Sequence, residues 1–251
     1  MVDDPTTAES RTTAESRTPP SYDSAAHEAE LHTDAYAVED DFDFVFPEFI
    51  RWHSSHFWTS VEVAEAAAAF LAPDPLVRVL DVGSGAGKFC IVGATTTGAR
   101  FSGIEQRPHL VAVAKQAAQA LRVARTEFMV GTIQDVDWSS YDAFYFFNPF
   151  EENVFQEQGC FDRTVVLSEE RFWRDVAFME SVLARAPVGT RIATYHGFGG
   201  RIPRSYELID QRRYGTGILR FWTKASADDK IEDGLVEALM PDPVRAVSLG
   251  R

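Results

Sequence analysis

One stretch limits the fold more than any other: residues 77–89, "VRVLDVGSGAGKF". A β-branched apolar run ends at three glycines in alternate positions, Gly83, Gly85 and Gly87. Without a Cβ the backbone there turns tightly and lets a ligand come close. The following "AGKFCIVGATTTG" reads as a helix ending in glycine. Free N–H groups at its start favour a carboxylate or phosphate. Asp81 precedes the first glycine, where it would repel a dinucleotide's pyrophosphate and attract a cationic or amino-bearing ligand. The spacing D-x-G-x-G-x-G also differs from the G-x-G-x-x-G of dinucleotide folds. A glycine turn in an ordinary α/β protein and a nicotinamide-dependent oxidoreductase remain the competing readings of this stretch alone.

Around this loop, strand and helix patterns alternate. "RFSGIEQ" reads as a second strand, "TEFMVGTI" as a third, "YDAFYFFN" as a fourth and "TRIATYH" as a fifth. Between them lie helices at "PHLVAVAKQAAQALRV", with Pro108 near its first turn, and at "SEERFWRDVAFMESVLARA", with Ser168 as cap and a capping-box glutamate. "YELIDQRRY" and "GILRFWTK" form a closing hairpin around a Gly-containing turn. The expected fold class is α/β: a doubly wound, mostly parallel seven-strand sheet with a closing antiparallel hairpin and helices on both faces. Such sheets bind ligands at the carboxyl ends of their strands.

The remaining segments are assigned by composition. Residues 1–35 carry a tandem "TTAESR" and few apolar side chains, so they are expected to form an acidic disordered leader. Residues 36–72 hold a dense aromatic segment and a helix at about 60–71, capped by Thr59 or Ser60 and ended by Pro73 and Pro75. Residues 73–224 form the ligand-binding domain. The tail 225–251 is acidic and Pro-broken, with a short helix at 231–239. The formal net charge of −14 is local: residues 1–50 hold 13 acids and 2 bases, a net of −11, leaving −3 elsewhere. With no basic stripe to neutralise a phosphate backbone, the charge argues against DNA or RNA as a partner. No apolar run reaches the length of a membrane span, the N-terminus lacks the basic and apolar parts of a secretory signal, and two cysteines make no scaffold. A cytoplasmic protein is expected.

The chain resembles the class I S-adenosylmethionine (SAM)-dependent methyltransferases. The matching residues are Asp81-Val82-Gly83-Ser84-Gly85-Ala86-Gly87, then "GIEQ" with Glu105 18 positions beyond Gly87, then "GTIQD" after the third strand. The resemblance implies SAM as cofactor and gives roles by position. Asp81 and the loop residues Gly83, Ser84, Gly85 and Gly87 would hold the methionine part, and Glu105 the ribose hydroxyls, with Gln106 beside it. Ile133 would pack on the adenine while Thr132 or Gln134 reaches its edge. Asn148-Pro149-Phe150 resembles the (Asn/Asp)-Pro-Pro-aromatic signature of methyltransferases acting on planar amino groups, with one proline missing. On this basis Asn148 and Phe150 line the acceptor pocket, Asn148 also facing the cofactor; a turn closing a buried strand is the plainer reading.

Methyl transfer needs a general base only for a protonated or hydroxyl acceptor. His196 and Tyr195, at the end of the fifth strand, are the candidates. The aromatic segment, with Trp52, Phe57 and Trp58, reads as a lid whose Thr59 and Ser60 reach the cofactor carboxylate, or as a patch packing on the core. His53 and His56 lack the neighbours a metal site needs, so no metal is expected. Glu151 and Glu152 would favour a cationic amine, or are solvated surface acids. The expectation is a methyltransferase acting on an amine or hydroxyl of a small molecule or protein, nitrogen slightly favoured. A non-catalytic SAM-binding regulatory protein is the alternative.

Overall fold

In a computed structural model of the chain, residues 41–154 and 161–227 are described. The leader at 1–35, the helix expected at 231–239 and Cys160 lie outside them. The aromatic segment begins the described part and includes two short helices, α1 (Glu48–Arg51) and α2 (Ser54–Phe57). Phe46, Ile50 and Trp58 from this segment are buried in the core. Helix α3 (Val61–Leu71) follows, with Ser60 as its cap accepting from the Val63 N–H at 3.4 Å.

The sheet strands are β1 (Arg78–Val82), β2 (Arg100–Glu105), β3 (Thr126–Val130), β4 (Ala143–Phe147), β5 (Arg191–Tyr195), β6 (Tyr206–Tyr214) and β7 (Gly217–Lys224). Their order is β3-β2-β1-β4-β5-β7-β6. The first five run parallel, and the β6–β7 hairpin joins antiparallel through β7. Helices α4 (Lys88–Thr97), α5 (Pro108–Ala120) and α6 (Glu169–Arg185) link the parallel strands. This is the expected seven-strand sheet, and β1 and β4 are neighbours in it.

Side-chain alternation along each strand divides the core in two. Val79 and Tyr145 face a cluster filled by Ala64, Leu71, Phe89, Ile91 and Phe101. Leu80, Phe144 and Phe146 face the other cluster, with Val176, Met179 and Leu183 of α6. Ser168 caps α6, accepting from the Arg171 N–H at 3.1 Å, but the third helical position is Arg171 itself. The expected capping box is therefore absent there; the acids of the first turn are Glu169 and Glu170. A reciprocal capping box exists instead at Thr132 and Asp135, after β3. At the sheet edge, β6 has a bulge between Leu208 and Asp210, and residues 207–213 are exposed.

Candidate active site

The carboxyl ends of β1, β2, β3 and β4 open on a cavity of about 460 Å³. Parallel strands joined by right-handed crossovers bring all four loops to one edge. The β1 loop supplies Gly83 and Gly85 to the wall. The N–H groups of Gly83 and Ser84 both donate to the Ile104 carbonyl at 3.0 Å, fastening the loop to β2. Gly85 has φ +52°, and a Cβ built there would lie 2.2 Å from Nε1 of Trp58. Only glycine allows both the backbone turn and the indole seated on it. At Gly83, with φ +78°, a Cβ would stand 3.0 Å from the Pro149 ring, so the β1 and β4 loops also meet closely.

Glu105, at the end of β2, is buried on the cavity wall. It accepts from the Gly85 N–H at 3.2 Å and from the Arg107 N–H at 2.9 Å. Burial raises its carboxyl above the usual range, opposed by the Arg107 and Gly85 hydrogen bonds and the Arg107 charge. Arg107, also buried, donates to Glu152 at 2.5 Å and Asp162 at 3.0 Å and lies 5.9 Å from the Phe161 ring centroid. The motif reading missed this cation. Its signal was its place directly after "IEQ", where a side chain leaving β2 faces the β4 loop.

After β3, Gly131, Thr132 and Ile133 line the cavity. The Thr132 hydroxyl donates to Asp135 at 2.9 Å and Gln134 donates to Asp175 at 3.1 Å, so both side chains expected at a base edge are engaged within the protein. Ile133 is a buried apolar wall. Gln106 is also on the wall and accepts from Arg171. After β4, Asn148, Pro149 and Phe150 all border the cavity. Asn148 takes a left-handed backbone, φ +34°, which Asn tolerates better than most residues. Its N–H donates to the Gly197 carbonyl at 2.9 Å and its side-chain amide donates to Glu151. Phe150 is buried, one edge of it in the α6-side core.

Several of the expected site residues are not on this wall. Asp81 shares the Val79 face of β1, so alternation turns it under α4, where its carboxyl lies 3.7 Å from the Cys90 thiol. Burial pushes it up to about 8; the Cys90 contact opposes this and the Glu105 charge adds to it. Burial of this kind favours the neutral carboxyl and so weakens the attraction for a cation expected of it. The Ser84 hydroxyl turns toward Gly103 and has no hydrogen-bond partner among the described residues. Gly87 serves as the N-cap of α4 at φ +81°, packed against Phe128 and Ala114. His196, at φ +61°, is exposed and stacks on Phe147 at 5.6 Å. Tyr195 donates to the Tyr214 carbonyl at 2.9 Å.

The far wall comes from the aromatic segment and the β4–α6 connection. Phe161 is the hub: its ring lies 5.5 Å from both Phe57 and Trp58 and 5.4 Å from His53, edge to face. Trp52, expected as a wall, is instead 76% exposed. Thr59 is hydrogen-bonded to the buried Tyr145 hydroxyl at 2.9 Å, and Ser60 serves as the α3 cap.

The family model described as a methyltransferase domain matches residues 73–183, from just before β1 to the end of α6. No curated protein matches the chain in sequence. Among solved structures, an RNA methyltransferase from Salinibacter ruber in complex with S-adenosyl-L-homocysteine superposes with a TM-score of 0.52 at 20% identity. That match covers 68% of this chain and 96% of the other. TrmN from Thermus thermophilus has a TM-score of 0.49 at 19% identity, covering 66% of this chain and 49% of that one. At such identities the likeness is one of fold. The charge-based expectation against nucleic acid has no support in these matches. Among the described residues, no helix is long and apolar enough to cross a membrane.

Proposed function

We propose that the protein is a SAM-dependent methyltransferase that uses the cavity at the strand ends to methylate an amine; the match of a methyltransferase-domain model to residues 73–183 and the strand order support this reading. One observation carries the reading: the glycine loop, Glu105, Ile133 and Asn148 border a single cavity of about 460 Å³. That is within the size range of small-molecule and cofactor sites. The donor set suits a nucleoside. Glu105 retains lone pairs to accept from ribose hydroxyls, and Ile104, Leu110 and Ile133 offer apolar contact to a flat base. The glycine loop leaves backbone accessible beside them.

SAM, when bound, supplies a methyl group activated by a positively charged sulfur. The protein's part is then to position and to exclude water. Asn148 is suited to accept a hydrogen bond from the acceptor nitrogen, because its amide N–H is taken up by Glu151 and its oxygen is left for another donor. Phe150 and Phe147 give that end an apolar wall, and Trp58 and Phe161 close the opposite side. Glu151, on the cavity wall, favours a cationic amine over an anionic acceptor, whereas the Glu152 charge is taken up by Arg107. His196, exposed and off the cavity, has no role in this scheme. An amine acceptor needs no dedicated base once it has reached its neutral form.

Calorimetry with SAM, S-adenosylhomocysteine (SAH) and NAD tests the cofactor. SAM and SAH are expected to bind and NAD not to; Glu105→Ala should weaken SAH by at least about tenfold, one charge-assisted hydrogen-bond group being lost. Unchanged SAH affinity in that variant would remove Glu105 from the site. For the acceptor, radiolabelled methyl transfer to cell lysate is followed in protein, nucleic-acid and small-molecule fractions. Asn148→Ala should lower transfer and leave SAH affinity nearly intact; equal transfer by the variant refutes its role.

A further inference from the structure

Lys88 is the first residue of α4, directly after the glycine loop, and it is 1% exposed. Its ammonium donates to the Asp43 carboxylate at 2.6 Å and to the Ser54 hydroxyl at 3.2 Å, and it sits 5.5 Å from the Phe42 ring centroid. For stability alone this is a poor arrangement. A helix N-terminus disfavours a cation, and burying two charges carries a desolvation cost that their mutual attraction must first repay. An apolar pair of similar volume would hold the two elements together as well. What the ion pair adds is register: one partner is fixed to the glycine loop and the other to the aromatic segment.

That register determines where Trp58 lies. Residues 43–59 run between two fastenings, Asp43 on Lys88 and Thr59 on Tyr145. Phe46 and Ile50 fill the core between them. Trp58 stands one residue before the second fastening, and its indole rests on Gly85 while its ring also borders the cavity. We infer that Lys88 is a positioning residue for cofactor binding: through Asp43 it holds the aromatic segment so that Trp58 forms a wall of the seat at the glycine loop. This rests on the reading of the cavity as the SAM site. Lys88 acts through Trp58 and touches no ligand itself.

The test is SAH binding by the full chain, read by calorimetry and by tryptophan fluorescence. Replacing both charges, Lys88→Met with Asp43→Leu, leaves no orphaned ion and is expected to keep the fold. This variant should bind SAH about tenfold more weakly, with melting temperature in the absence of SAH near that of the unaltered protein. Trp58→Ala should cost a similar factor. If Lys88 works through Trp58, the combined variant also loses about tenfold and not a hundredfold, because coupled residues are non-additive. Lys88→Arg, which keeps the charge and a donor for Asp43, should retain affinity within about twofold. A merely structural lysine would lower the melting temperature without this coupling to Trp58. Unaltered SAH affinity in the paired apolar variant, or a combined loss near a hundredfold, overturns the inference while leaving the site reading intact. If the unaltered protein binds no SAH, both fall.

Discussion

Asp81 lies directly before the glycine loop and yet titrates as a core residue. Its carboxyl is pushed up to about 8, chiefly by burial, from an ordinary value of 3.8. Between those two values the folded protein holds a proton that the unfolded chain has released. Stability from this residue is therefore present below pH 4 and lost as pH rises toward 8, by up to about 1.4 kcal/mol per pH unit. Denaturant unfolding at pH 5 and pH 8 should give a higher midpoint at pH 5. Asp81→Asn, which cannot ionise, should reduce that difference; identical pH slopes in the two proteins would show that Asp81 is not the group responsible. Glu105 is raised in the same direction, so part of the slope should survive in the variant.

At the scale of an element, α6 is held at both ends by side chains. At its start the Ser168 hydroxyl accepts from the Arg171 N–H. At its end the buried Lys224 of β7 donates to the carbonyls of Leu183 and Ala184, placing a cation where the helix dipole favours one. The two ends should respond unequally. Ser168→Ala removes a cap at a half-buried site and should cost about 1 kcal/mol. Lys224→Met leaves buried carbonyls without that donor and should cost more, about 1–3 kcal/mol. Chemical denaturation measures both. A Lys224→Met loss smaller than that of Ser168→Ala would mean that water replaces the ammonium at the helix end. The hairpin that carries Lys224 was readable from the Gly-containing turn between its two segments, but the bond from its last residue to α6 was not. A lysine at a strand end carries no mark of which helix end it will meet.

For the whole molecule, SAH bound at the strand ends should stabilise the fold by mass action. At a hundred times its dissociation constant the gain is about 2.7 kcal/mol, and the melting temperature should rise by roughly 5–10 °C for a chain of this size. NAD at the same concentration should leave it unchanged; a rise with NAD alone would point to a different ligand. The order of strands and helices around "VLDVGSGAG" was legible because periodicity and glycine spacing are local properties of the chain. So was the convergence of Gly85, Glu105, Ile133 and Asn148, since parallel strands with helical crossovers leave their carboxyl ends on one edge. The sequence alone thus determined the sheet, its helices and the edge at which the cavity opens. Tertiary structure decided which side chains at that edge face the cavity. Alternation in β1 turned Asp81 inward beside Cys90, and a left-handed turn after β5 put His196 outside. The buried cations Lys88 and Arg107 found carboxylates 45 residues or more away, at Asp43, Glu152 and Asp162. Burial and charge pairing depend on distances between segments remote in the chain, and those distances exist only after the sheet has closed.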